Sequence, residues 1–221
     1  PDLSVYQLYR RTVDDNTGEL TDTTAIATAK GGFSGGTVDS DRATLEALAA
    51  DPAKGAVMAD PYSLSPDKSR EPDLGRQSDR ALSRASTIDP SLDGWIGTYI
   101  FATHDTKLVR RSNGLLGWPY GKNFRYREVM SAGNSPIAPL LAAGMAGGIE
   151  VIMTGGALLS RTAAGRRFLD LVLPRPGTGP SKRSRERGWF TTKTVAHTTS
   201  GATYLATFSS TCDPGYDGTA L

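Results

Sequence analysis

The densest opportunity for chemistry in this 221-residue chain is the run Lys30, Gly31, Gly32, Phe33, Ser34, Gly35, Gly36 and Thr37. Its glycines allow a ligand to approach the backbone closely, and they tolerate positive φ. The run follows a predicted strand and precedes a predicted helix, so free amides at the helix start suit an anion. Its spacing matches neither Gly-x-Gly-x-x-Gly nor a phosphate-binding loop ending in Gly-Lys-Ser/Thr, so the run is not a dinucleotide fingerprint. Taken alone it is either a ligand loop or a tight strand-to-helix turn capped by Ser34 or Thr37. Ser34, His104 and Asp105 supply the residue types of a hydrolytic triad, but Ser34 is not in a nucleophile elbow. His104 reads as a structural histidine at the end of an apolar strand, and His197 as a strand residue. Tyr120, Tyr126, Lys30, Arg110 and Arg111 each have the chemistry to donate a proton or hold an anion, and each equally suits packing or ion pairing.

The elements that position these groups alternate between strands and helices. Asp2 or Ser4 caps a first helix with Leu3, Val5, Tyr6, Leu8 and Tyr9 at helical spacing. Residues 21–30 read as a strand rich in Thr and Ala, and residues 37–50 as a helix. Residues 51–91, rich in Pro, Ser, Asp and Arg, read as a long excursion with the composition of a mobile segment. Residues 94–104 form a strand candidate and residues 106–117 a helix. Residues 123–133 alternate, with Phe124, Tyr126 and Glu128 on one face and Arg125, Arg127 and Val129 on the other. An apolar helical pair follows, broken near Gly147-Gly148 or Gly155-Gly156 and stopping at Pro174. Two strands flanking Ser200-Gly201 close the pattern as a hairpin. The expectation is a single α+β domain over residues 1–221: a mixed, largely antiparallel sheet of five to six strands with helices on one face.

Composition excludes several classes. One cysteine, Cys212, rules out an internal disulfide framework and a cysteine-rich zinc site, and two histidines rule out a histidine-rich metal centre. No metal site is expected. The net charge of +2 hides an asymmetry: residues 1–60 hold ten acids against five bases, while residues 161–193 hold nine bases against two acids. The basic run is a solvated loop or a surface for an anionic partner. Its interleaved aromatics, Phe168, Trp189 and Phe190, are too few to argue for nucleic acid. The first residues lack the basic start and apolar run of a secretory signal. Residues 138–159 have the length to span a bilayer, but they carry Glu150 and five glycines, which favours a buried or groove-lining helix over membrane contact.

Six separated segments resemble a known family. They are residues 2–9 (DLSVYQLY), 30–37 (KGGFSGGT), 60–67 (DPYSLSPD), 109–130 (VRRSNGLLGWPYGKNFRYREVM), 174–190 (PRPGTGPSKRSRERGWF) and 213–216 (DPGY). In this order they are similar to the saccharopine dehydrogenase-like oxidoreductases, most of all the trans-acting enoyl reductases of polyketide-lipid synthesis. Members of that family begin with a Rossmann domain and end with a helix that returns to it, and neither pattern occurs in this sequence. The resemblance therefore implies a central substrate or dimerisation domain, with Pro1 as a boundary, inactive without its own Rossmann domain. It implies NADP or NAD in the whole protein, with none bound to this segment alone, and hydride delivery to an enoyl, ketone or imine acceptor.

The resemblance reweights the residues. Lys30, Gly31, Gly32, Phe33, Ser34, Gly35, Gly36, Thr37 and Tyr126 become candidates for substrate binding, while catalytic residues stay unassigned. Tyr126 and Arg127, on opposite strand faces, cannot both face one cleft. Arg175, Lys182, Arg183, Arg185 and Arg187 become candidates to dock an acidic acyl carrier protein. A homodimer in the cytoplasm is the expected setting. The alternatives are a non-enzymatic dimerising or carrier-binding module, and a lipid-binding domain.

Overall fold

The computed structural model describes residues 2–30, 53–172 and 181–211, with residues 40, 43, 44, 46–48, 50, 51 and 179 between them. The chain is α+β. Its strands are β1 (Leu20–Lys30), β2 (Leu82–Arg84), β3 (Trp95–Thr98), β4 (Arg125–Gly133), β5 (Trp189–Thr198) and β6 (Thr203–Ser210). They form one mixed, mostly antiparallel sheet in the order β2-β3-β4-β1-β5-β6. The helices are α1 (Asp2–Asp14), α2 (Lys54–Ala59), α3 (Ala102–Leu115), α4 (Ala138–Ser160), α5 (Ala163–Val172) and α6 (Lys182–Glu186). Two compact units divide the residues: Pro1–Thr28, Asp60–Ala146 and Thr192–Phe208 form the first, and Ala29–Ala59, Gly147–Thr191 and Ser209–Leu221 the second.

The first unit is built on the central pair β1 and β4, which run parallel with Asp22 opposite Arg125, Thr24 opposite Arg127 and Ala25 opposite Glu128. Antiparallel β3 flanks β4, and β2 pairs with β3. Side chains alternate along each strand, so each face collects its own residues. On one face Ala25, Tyr126 and Ala196 pack with Val5 and Leu8 of α1 and Val109 of α3. In α3 the buried Ala102, Thr106, Val109, Arg110 and Asn113 recur at helical spacing. Rings chain through this core: Tyr9 lies 5.5 Å from Tyr120, Tyr120 5.0 Å from Phe124, and Phe124 6.2 Å from Tyr126. The start of α4 crosses β3 on the same face. A Cβ on Gly97 would stand 2.8 Å from Met145 Cβ and 3.0 Å from the Ala142 carbonyl, so only glycine allows this approach. The other face packs Ile26, Ile96, Val129 and Val195 against Ala81 and Ala85 from the excursion and Leu92 just after it.

Two sequence expectations are corrected. The strand expected over residues 94–104 ends at Thr98, and His104 lies in the first turn of α3, exposed to solvent. Phe101 is the helix cap, its carbonyl accepting from the amides of His104 and Asp105. Asp105 is an acid in the first turn, where the helix dipole favours negative charge. The apolar helix is not interrupted at Gly147-Gly148 or Gly155-Gly156: α4 runs from Ala138 to Ser160 and the break falls at Arg161-Thr162. There Thr162 Oγ1 accepts from the Gly165 amide at 3.0 Å, which caps α5. Glycine weakens a helix by about 1 kcal/mol per position but removes no hydrogen bond, so a polar cap outranks it as a stop signal.

The remaining expectations for α1, β1, β4 and the closing hairpin match the observed elements, with Gly201 at φ +84° in the hairpin turn. The described residues between 40 and 50 are helical. The excursion carries short pieces of structure and is tied to the core at several points. Arg111 Nη1 donates to Leu64 O at 2.8 Å, Arg125 Nη2 to Leu74 O at 2.8 Å, and Trp118 Nε1 to Glu71 at 3.0 Å.

Candidate functional site

A polar concavity in the first unit lies on the sheet face opposite its helices. It is a cavity of about 380 Å³ over β1, β4 and β5, walled by residues 76–78 and 87–88 of the excursion. Strand alternation sends Asp22, Thr24, Arg125, Arg127 and His197 to this face, and Arg76 closes the wall. Arg127 Nε donates to Thr24 Oγ1 at 3.0 Å, across the β1–β4 register pair. His197 is held at both nitrogens, by Thr203 Oγ1 at 3.0 Å and by the Ile88 carbonyl at 3.3 Å. Among the described residues, the bonds of Arg125 and Arg127 use one N–H of the five each guanidinium carries, which leaves donors for a ligand. Among the described residues none of these arginines forms an ion pair.

A buried arginine fixes the wall from beneath. Arg110, 4% exposed, donates from Nη2 to the Tyr126 carbonyl at 2.7 Å and to Gln77 Oε1 at 3.2 Å. Gln77 lines the cavity and in turn donates to Tyr62 OH at 2.9 Å. Arg110 thus couples α3, β4 and the excursion in one network. Asp79 stands nearby, accepting from Thr106 at 3.3 Å; burial raises its carboxyl pKa more than the Arg110 charge lowers it.

The opposite face holds a different arrangement. Glu128, 3% exposed, accepts from Tyr126 OH at 2.7 Å and shares a hydrogen bond with Asp105. Burial, followed by the Asp105 charge, pushes Glu128 up to about 8, and burial raises Asp105 too. With both carboxyls raised, the pair holds a proton between them beyond the ordinary carboxylate range. The Tyr126 hydroxyl is held well above its ordinary value by burial and by the Glu128 charge. Tyr99 is likewise raised by burial, with the two acids adding to it. This is a proton-holding pair inside a packed core.

The structure separates the residues singled out from the sequence. Tyr126 points its ring into the helical core at 2% exposure, while Arg127 beside it lines the cavity. Lys30 ends β1, exposed and in the second unit. Gly31, Gly32, Phe33, Ser34, Gly35, Gly36 and Thr37 lie outside the described residues, as does Arg175. Lys182, Arg183 and Arg187 are exposed in the second unit, Lys182 pairing with Glu186 at 3.7 Å, and Arg185 lies on α6 with them. Sequence reasoning placed Arg125 and Arg127 on one face but did not mark them as a site. It also missed Arg76 and Gln77, and read His197 only as a strand residue. The one available signal was two arginines two apart on a strand, both facing away from its aromatics.

Among the described residues the mostly antiparallel sheet holds no βαβαβ half of the kind that presents a pyrophosphate to a helix start. Among the described residues no group of three or more His, Cys, Asp or Glu is disposed to hold a metal ion, and no helix is long and apolar enough to cross a membrane.

No family model matches the chain, and no solved structure matches it. Several known proteins do. A putative trans-acting enoyl reductase of Mycobacterium tuberculosis is 44% identical over 222 residues, covering 100% of this chain and 53% of that protein. Trans-acting enoyl reductases of Mycobacterium bovis and Mycobacterium ulcerans are each 42% identical over 224 residues, with the same coverage. This chain spans about half the length of the curated relatives it matches, and it is similar along its entire length to that half of several trans-acting enoyl reductases.

Proposed function

We propose that these residues form the acceptor-binding part of a trans-acting enoyl reductase of the saccharopine dehydrogenase-like kind. The observation that carries the reading is 44% identity over the whole chain to a protein of that name. In this reading NADPH or NADH is held by a Rossmann domain outside these residues and supplies the hydride. The residues described here bind and orient the enoyl acceptor on the sheet face that carries the cavity. The acceptor arrives on an acidic acyl carrier protein, for which Arg175, Lys182, Arg183, Arg185 and Arg187 form the docking surface, and the protein works as a cytoplasmic homodimer. Long-range attraction between a basic run and an acidic carrier speeds encounter more than it tightens binding.

The test is nicotinamide oxidation, followed at saturating acceptor, by a polypeptide of the relatives' length that includes these residues. Acceptor-dependent oxidation with a carrier-bound enoyl thioester, and none with the 221-residue chain, is the expected result. Oxidation only with an imine or ketone, or none with any acceptor, overturns the reading.

A further inference from the structure

We infer that the cavity over β1, β4 and β5 is a binding site for a phosphate ester. Three guanidiniums, Arg76, Arg125 and Arg127, line one space of about 380 Å³ with the imidazole of His197. Arginines carry only donors, in a fork that matches phosphate oxygens, and the hydroxyl of Thr24, which accepts from Arg127, has its own proton to add to the set. A carboxylate brings two oxygens and one charge to three guanidiniums, whereas a phosphate monoester brings three terminal oxygens and close to two charges. The volume exceeds that of inorganic phosphate and leaves room for the organic arm of an ester. Asp22 also faces the cavity, without an ion-pair partner among the described residues. It offsets one positive charge and accepts from a hydroxyl or amide on that arm. The preorganisation is visible in the hydrogen bonds already made. Thr24 holds the Nε edge of Arg127 and Leu74 O holds Arg125, so both forks are fixed before a ligand enters.

One chemistry here has two sources: the phosphate of a pantetheine arm carrying the acyl chain, or the phosphate of a nucleotide. The inference does not rest on the reductase reading, because binding to the 221-residue chain is measured without turnover. Calorimetric titration of the chain compares 4′-phosphopantetheine with pantetheine, and adenosine 2′,5′-bisphosphate with adenosine. At least one phosphorylated member binds about tenfold or more tightly than its counterpart, with affinity falling as salt rises. A preference in the first pair assigns the cavity to the carrier arm, and in the second to a nucleotide. Arg127→Gln and Arg76→Gln each reduce the preference about tenfold. Arg76 makes no hydrogen bond among the described residues, so its loss leaves the fold intact even if Arg127→Gln disturbs β4. Equal binding with and without phosphate in both pairs overturns the proposal, as does a preference that survives both substitutions.

Discussion

The two faces of the central sheet differ by a single residue step and do opposite things. Tyr126 and Glu128 face the helices, where rings and aliphatic chains exclude water and a carboxyl is kept protonated. Arg125 and Arg127 face the cavity, where three guanidiniums stay solvated and, among the described residues, without carboxylate partners. A one-residue slip of β4 would exchange the two sets, burying cations in the core and exposing its rings. The contrast separates stability from binding at these positions: Tyr126 and Glu128 sit among packed neighbours, whereas Arg125 and Arg127 line open space beside the second core that Ile26, Val129 and Val195 build on their own face.

The sharpest way to break this division is to cut neighbouring residues of β4. Tyr126→Ala empties a ring-sized space in the helical core and lowers unfolding free energy by about 3–5 kcal/mol. Arg127→Ala gives up one bond to Thr24 at the edge of a cavity and costs less than about 1 kcal/mol. Urea denaturation of the two variants measures both values. A loss from Arg127→Ala as large as that from Tyr126→Ala would mean that the cavity face is structural.

The division was half legible in the sequence. Alternation in residues 123–133 assigned Tyr126 and Arg127 to opposite faces, because a strand's period is two whatever its neighbours. Helical spacing gave α1, and Ser200-Gly201 gave the hairpin. The cavity was hidden because its lining comes from residues 22–24, 76–78, 87–88, 125–127 and 197, and only the parallel register of β1 on β4 brings Thr24 beside Arg127. The Glu128–Asp105 pair was hidden for a related reason. Reading residues 94–104 as strand and 106–117 as helix left Asp105 between the two elements, whereas α3 begins at Ala102 and turns Asp105 toward the sheet. In α4 the glycine pairs outweighed continuity in the reading, yet the helix passes through them.

The acid pair sharpens the comparison through pH. Unfolded, Glu128 releases its proton near 4.5; folded, it keeps it up to about 8. Between these values the native state binds more protons than the unfolded state, so stability falls as pH rises across that window. Glu128→Gln preserves a neutral side chain of the same shape and removes much of that slope. The melting temperature of the variant therefore matches the parent near pH 4.5 and exceeds it near pH 8, by a smaller amount than Tyr126→Ala costs. Parallel pH profiles for the two proteins would show that Glu128 does not hold the proton.

The smallest effect belongs to a carboxyl outside both cores, and its sign is opposite. Asp60 accepts from Lys68 Nζ at 2.7 Å and from the Tyr62 amide at 2.8 Å, and the Lys68 bond holds its pKa below the ordinary 3.8. A lowered folded value means stability present above that pH and lost as pH falls through it. Both partners are well exposed, with side chains 57% and 32% accessible, so solvent screens most of the attraction. Asp60→Asn keeps the acceptor for Tyr62 and loses the charge. It costs less than about 1 kcal/mol at neutral pH and nothing once the parent carboxyl is protonated, and added salt shrinks the difference. Thermal melts at neutral and acidic pH read this directly. A larger cost than the gain from Glu128→Gln would mean that the excursion, not the helical core, carries the dominant titrating carboxyl.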